Sequence, residues 1–265
     1  MSTPMSFSPE TGPLSFAPAP APASRGRMLA AQTRMEFRLL LRNGEQVGLT
    51  LLIPLLLLFF FNLPLLYSLD TPRRIDFVVP SIIALAVMSA AFTGLAIGTG
   101  FERKYAVLKR LGATALPRSV LILGKTLAVL LLELLQLVLV CGFGFALAWH
   151  PHGDPLAALL LVVLGTAAFG GLGLLVAGTL RAEVTLAAAN LVWLILLFAG
   201  GIAIPLDRFG GAARDVLQYL PSAALSDGLH SVLQHGAGLP GRDTVTLLVW
   251  AAIAVPAAAR WFRWE

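Results

Sequence analysis

Phe101–Pro117, reading FERKYAVLKRLGATALP, is the only long, charge-rich segment of this chain that lies between two apolar runs of membrane length. Around it, 57% of the 265 residues are hydrophobic, only 12% are charged, and the mean hydropathy is +0.83. Ordinary globular domains carry about 25% charged residues, and a soluble domain of this length has no room to hide so much apolar surface. Apolar runs of about eighteen residues or more recur, so the bilayer is the solvent. The formal charge of +5 and a sequence pI near 10 could point to nucleic acid. The basic residues instead gather at the ends of apolar runs, which is how membrane topology is encoded. No nucleic-acid partner is expected.

Six spans follow from hydropathy, at about 47–67, 77–100, 119–149, 156–180, 184–204 and 244–262. Pro54 and Pro64 break the first. The third exceeds the roughly twenty residues that a bilayer core needs, so it should tilt or protrude. Fourteen of the nineteen Arg and Lys residues then fall on one face: five in 25–42, six in 103–125, and Arg181, Arg260 and Arg263. The other face holds Arg73, Arg74, Arg208, Arg214 and Arg242. The positive-inside rule places both termini and the Phe101 loop in the cytoplasm. Trp261 and Trp264 beside Arg260 and Arg263 suit an interfacial anchor for the last span.

Residues 1–24 hold six prolines and one charged side chain, Glu10, with no apolar core of a signal peptide. They read as a disordered cytoplasmic tail, which leaves 25–265 as the transmembrane domain. In the stretch Arg25 to Asn43, a wheel of about 100° per residue gathers Arg27, Arg34, Arg38 and Arg42 within about 80°. Leu29, Leu39 and Leu40 lie opposite, as in a helix resting in the headgroup layer. Between the last two spans, 212–219 and 223–233 have helical apolar spacing around Leu220-Pro221-Ser222. Short re-entrant or interfacial helices at the outer mouth fit, because irregular backbone at that depth must be buried in protein or line water.

Taken as a helix, residues 101–111 place Phe101, Tyr105, Val107, Leu108 and Leu111 in one arc of about 160°. Glu102, Arg103, Lys109 and Arg110 take the other side, and Lys104 intrudes on the apolar arc. Two readings stand: an amphipathic helix that carries a partner's push into the membrane, or a solvated loop that obeys the positive-inside rule. Glu133 and Gln136, at i and i+3 near the centre of the third span, share a face. An ionisable side chain at that depth costs about 2.5 kcal/mol or more and faces a partner or a watery cavity. They are candidates for a substrate or proton path, or for hydrogen bonding between helices. Asn190 joins them as a path candidate, though with Asn62 it also suits helix-packing glue. Gly94 with Gly98, and Ala167 with Gly171, are small-residue pairs that permit close helix approach.

Gly124-Lys125-Thr126 resembles the end of a P-loop, but the glycine required five residues earlier is Ser119 and the flanks are a membrane span. Nucleotide binding by this chain is rejected, and Lys125 is expected to snorkel to the headgroups. His150, His152 and Asp154, with His230 and His235, match no zinc spacing and read as solvated loop residues, so no metal is expected. No HExxH, GxSxG or intramembrane carboxylate pair is present, and no catalytic residue is assigned. The single cysteine, Cys141, permits no intrachain disulfide.

Phe101-Glu102-Arg103, Leu108-Lys109-Arg110-Leu111 and Thr114-Ala115-Leu116-Pro117 together resemble the cytoplasmic loop of ABC-2 type transporter permeases, the membrane subunits of a class of ABC exporters. Lys104 stands where that family usually has an acid, and Tyr105-Ala106 where Gly is frequent. Gly200-Gly201-Ile202-Ala203-Ile204-Pro205-Leu206, then Leu220-Pro221 and Leu225-Ser226-Asp227-Gly228-Leu229, look like the family's fifth span and outer helices. Among subgroups the chain looks most like the antibiotic-resistance and drug-export permeases of actinobacteria. The resemblance covers about residues 25–265.

It implies an all-α membrane protein with six transmembrane helices and an N-terminal interfacial amphipathic helix. A cytoplasmic coupling helix lies between helices 2 and 3, and short outer re-entrant or interfacial helices lie between helices 5 and 6. It further implies a second permease subunit and a separate ABC ATPase subunit that binds ATP and Mg, with no cofactor in this chain. The implied ATPase-coupling set is Glu102, Arg103, Leu108, Lys109, Arg110 and Leu111, the arginines suiting carboxylates on the partner. An amphiphilic substrate would be moved across a bacterial cytoplasmic membrane. The rival classes are an ATP-independent secondary transporter or channel, to which Glu133 would belong, and a membrane assembly factor that transports nothing.

Overall fold

In lipid, a backbone without water must satisfy its own polar groups, and a long apolar run does so as an α-helix. The computed structural model describes residues 23–62, 74–204 and 206–263. Of the described residues 83% are helical and none is in a strand. Residues 1–22 of the expected tail, residues 63–67 with Pro64, and Arg73, Pro205 and Trp264 lie outside these residues, as does the side chain of Asn62.

The elements in chain order are α1 (Arg25–Arg42), α2 (Gly44–Asn62), α3 (Arg74–Val87), a π-helical turn (Met88–Gly94), α4 (Leu95–Lys104), α5 (Val107–Gly112), α6 (Arg118–Ala146), α7 (Pro155–Thr179), α8 (Ala182–Ala199), a 3-10 turn (Leu206–Arg208), α9 (Gly211–Leu217), α10 (Pro221–Leu233) and α11 (Gly241–Trp261). α3, the π turn and α4 form one continuous span, Arg74–Lys104. With α6, α7, α8 and α11 it makes five helices long and apolar enough to cross a membrane, or six if the bent pair α1 and α2 supplies another. Arg25–Arg42 meets Val47–Phe61 at 70°, so the arginine-bearing helix turns sharply into the first apolar run. Arg27, Arg34, Arg38 and Arg42 are exposed as the wheel requires. The buried face of α1 is polar, however: Gln32 and Glu36.

The spans pack by close approach at small residues, which is how apolar helices associate when lipid offers no hydrophobic drive. At Gly171 of α7 a Cβ would lie 2.8 Å from the backbone of Ala254 in α11. Of the pair Ala167 and Gly171, Gly171 is thus seated against α11. At Gly173 a Cβ would meet the Phe92 carbonyl oxygen at 2.5 Å, so α7 can press on the π turn only through glycine. Sequence reading gave no sign of that π turn, which inserts a wider loop of backbone into the span.

Contacts define two ends. At one, called basal here, α1, the 101–117 segment, the start of α6, the end of α7, the start of α8 and the end of α11 gather. There Arg263 N–H donates to Gly178 O (3.3 Å). At the opposite, distal end, α10 is buried against α3, α7 and α11, and His152 N–H donates to Leu233 O (3.1 Å). The predicted 212–219 and 223–233 helices are thus observed, as Gly211–Leu217 and Pro221–Leu233. The third span ends at Ala146 rather than 149, followed by Ala148 in the left-handed region (φ 62°).

Candidate functional site

The segment 101–117 is not one helix. Phe101–Lys104 is the last turn of α4, Tyr105 leaves helical geometry, and Ala106 adopts a left-handed conformation (φ 57°). That residue swings the chain into the short, separate α5. A non-glycine in that region costs about 1–2 kcal/mol, so the bend is held by its surroundings. The continuous apolar arc expected from the wheel is therefore replaced. Leu108 is fully buried and pins α5 to the bundle, whereas Tyr105 and Val107 are 64% and 39% exposed. Lys109 and Arg110 point outward with them, and Leu111 is half-buried. Pro117 is extended and starts α6. Thr114 braces the turn, its hydroxyl donating to Leu111 O (2.6 Å) and accepting from Leu116 N–H (3.3 Å).

Three consecutive residues anchor the root of this segment. Glu102 binds Lys125 of α6, whose Nζ lies 2.8 Å from Oε1 and 2.7 Å from Oε2. The same Nζ is 2.9 Å from Glu36 Oε1 of α1, and Gln32 Nε2 donates to that oxygen (2.7 Å). Lys125 is only 3% exposed, so it does not snorkel. Two carboxylates hold it inside, where an isolated ammonium would be prohibitive. Gly124 lets α1 sit down on α6, since a Cβ there would lie 2.6 Å from Gln32 Cγ. Arg103 Nη2 donates to the Leu180 carbonyl at the end of α7, satisfying one of the acceptors that a helix terminus leaves open. Lys104 pairs with Glu183 of α8 at 2.5 Å. Both partners are exposed, so this bridge contributes little to stability.

A cavity of about 510 Å³ opens above the ion cluster, walled by α1, α2, α3, the π turn, α4, α6 and Trp193 of α8. Gln136 lines it, Nε2 donating to Thr50 O (2.8 Å) across to α2. Glu133 does not line it. It faces a void of about 10 Å³ beside Gln136 and accepts a hydrogen bond from the Thr166 hydroxyl of α7. Asn190 is exposed on α8, donates to Leu186 O of its own helix (2.9 Å), and lines a neighbouring crevice of about 560 Å³. The two crevices share Ser89, Gly94, Gly98 and Trp193, and Trp193 Nε1 donates to Ser89 Oγ between them (3.0 Å). Gly94 and Gly98 thus border open space rather than a close helix contact. The three path candidates do not form one cluster.

At the distal end, His230 of α10 is a correction: it is buried, not solvated. Its ring stacks on Phe77 (4.6 Å between centroids) and lies 2.9 Å from both Ser81 Oγ and Gln234 Oε1. The Ser81 hydroxyl also donates to Phe77 O (3.1 Å), so Ser81 and the Gln234 amide together hold both ring nitrogens. Burial pushes the imidazole down from 6.5 to about 4. The unfolded chain therefore takes up a proton, as pH falls through that window, that the folded chain refuses. Stability present above about pH 6.5 is lost towards pH 4, about 3 kcal/mol in all. Thermal melts of the purified protein should fall between pH 7 and 5, and His230→Asn should flatten that slope. Nearby, Arg242 binds Asp243 (2.8 Å), Asp227 (3.4 Å) and Gln218 (2.9 Å), tying α9 and α10 to α11. His150 and His152 are exposed as expected. Asp154 caps α7, accepting from Leu156 N–H (2.9 Å), and no metal-binding cluster occurs among the described residues.

The described residues form a bundle of apolar helices with crevices between them, the build of a multi-pass membrane protein. A family model for ABC-2 family transporter proteins matches residues 73–260, and the chain belongs to that family. It is similar to "Putative transport permease YvfS" of Bacillus subtilis (strain 168), 21% identical over 214 residues that cover 79% of this chain and 87% of that protein. The family match begins just before α3, so α1 and α2, which wall the 510 Å³ cavity, lie outside it.

Proposed function

We propose that the chain is the permease subunit of an ATP-driven exporter in a bacterial cytoplasmic membrane, with its basal end and both termini in the cytoplasm. Family membership implies an ABC ATPase subunit as partner. That subunit would bind ATP and Mg, and this chain would contribute no catalytic site. A second permease subunit completes the complex, and α8 is a suitable face for it, with Leu191, Leu194, Ile195 and Phe198 all about half exposed.

The observation that carries the coupling reading is the shape of 101–117. Tyr105 and, on α5, Val107, Lys109 and Arg110 face outward, while the turn before them is fixed to α1 and α6 through Glu102, to α7 through Arg103 and to α8 through Lys104. A push on α5 would then reach four elements at once. Coupling of this kind needs contacts that differ between two states. The changing contacts assigned here are those of Lys109 and Arg110 with carboxylates on the ATPase. Glu102, Arg103 and Leu108 act as transmitters within the chain, and Leu111 at the edge of the docking face. Gln136 lines the route of an amphiphilic substrate such as a drug or antibiotic; Glu133 supports that wall from behind, and Asn190 lines the adjoining crevice.

Mild solubilisation of native membranes should recover the tagged chain with an ATPase that carries a Walker motif. Recovery of the chain without any ATPase, together with transport unaffected by ATP depletion, would favour the secondary-transporter class instead.

A further inference from the structure

We propose that the 510 Å³ crevice is a binding site for an amphiphilic organic monocation, with its charged head at the Glu36–Lys125–Glu102 end and its apolar body along α2. The inference deepens the permease reading and rests on it. Charge is the first argument. Glu36, Glu102 and Lys125 are the ionisable side chains that line the crevice among the described residues. Lys125 sits between both carboxylates, so one negative charge remains unmatched when all three are ionised. An unmatched charge against apolar walls is costly, and a ligand cation removes it; an anion would add to it.

The walls give the second argument. From Lys125 to Gln136 is eleven residues of α6, about 16 Å of helix. Leu49, Ile53 and Leu57 of α2 line the crevice opposite Leu132. That is an apolar sleeve long enough for the body of an amphiphile. Gln136 lines its far end, is 2% exposed, and has its Oε1 without a partner among the described residues. With Nε2 committed to Thr50, the unused atom is an acceptor, suited to a donor at the other end of the ligand. Trp193 on the wall adds a ring that attracts cations. The volume falls within the roughly 300–1,000 Å³ of small-molecule sites.

Leu39, Leu40 and Asn43 of α1 also line the crevice. α1 carries its exposed arginines on another face; with α1 lying in the headgroup layer, as such a helix does, the head end of the crevice would lie at headgroup depth. A ligand would enter sideways from the basal leaflet, head first against the carboxylates.

The test uses the full chain in lipid nanodiscs with two hydrophobic ions of the same shape, tetraphenylphosphonium and tetraphenylborate. Equilibrium dialysis against empty nanodiscs should show saturable binding of the cation and none of the anion. Glu36→Gln and Glu102→Gln should each weaken cation binding about tenfold or more. Saturable binding of the anion at equal or higher affinity, or cation uptake no greater than in empty discs, would overturn the proposal. So would wild-type affinity in both folded variants. If a variant does not fold, the wild-type comparison of cation with anion still decides. Failure of cation binding while the ATPase still co-purifies removes the ligand class alone; failure of co-purification removes the permease reading beneath it.

Discussion

Lys125→Met is expected to destabilise the chain by about 3–5 kcal/mol, the cost of leaving a buried ionic partner uncompensated. The variant strands Glu36 and Glu102 beside an apolar wall and cuts the tie between α1, α4 and α6. Its melting temperature in detergent should drop sharply, and α1 should become open to proteolysis. The partners make the effect specific. Adding Glu36→Met and Glu102→Met to Lys125→Met should recover most of the loss, because buried ion clusters replaced whole by apolar side chains are often neutral in stability. An unaltered melt in the single variant would mean that the cluster is solvated and carries little. The triple variant separates stability from coupling: it should fold, yet transmit the motion of α5 poorly, since on the proposed coupling Glu102 would pass that motion to α1 and α6.

The second large effect is on activity. Lys109→Glu with Arg110→Glu reverses two exposed charges on α5 without touching Leu108, the residue that seats it. Melting temperature and membrane insertion should stay as in the natural chain. Affinity for the ATPase should fall about thirtyfold or more, the scale of losing close charge pairs at an interface, and ATP-driven efflux should fall with it. A double variant that keeps full efflux would remove α5 from the coupling route. Because the two substitutions alter neither the crevice nor the ion cluster, a loss of efflux would not reflect a damaged binding site.

How much of this was legible beforehand depended on whether the signal was local. Span positions were, because a run of apolar residues is its own evidence: 119–149 was expected and Arg118–Ala146 is found, and 244–262 appears as Gly241–Trp261. The outer helices were legible from Leu220-Pro221, which starts α10 with proline in its first turn. The hinge was not. A left-handed residue usually announces itself as glycine, and here it is Ala106, at the place where the resemblance leads one to expect Gly. A helical wheel drawn across it therefore runs two helices together.

The Glu36–Lys125–Glu102 cluster was hidden for another reason. Each member sits on a different helix, and its meaning arises only when the three come together. The hints were an acid alone among the arginines of α1 and a lysine inside an apolar run, and each taken singly favours an exposed residue. His230 misled in the same way. Its segment has helical apolar spacing, but spacing alone does not show that α10 is buried on the side that carries the ring. Glu133 and Gln136 were paired by their i, i+3 spacing as candidates for a path or for hydrogen bonding between helices; Gln136 lines the crevice and bonds to α2, whereas Glu133 bonds to Thr166 of α7.

The claim on which the rest depends is that the outward face of α5 meets an ATPase. A photo-crosslinking residue placed at Val107 tests it directly in intact membranes, with the same residue at Val216, 71% exposed at the opposite end, as the control. The account predicts an adduct between Val107 and a Walker-motif ATPase, strengthened or weakened by trapping the nucleotide state, and none from Val216. Crosslinks to lipid alone from Val107, or equal capture of the ATPase from both positions, would contradict it.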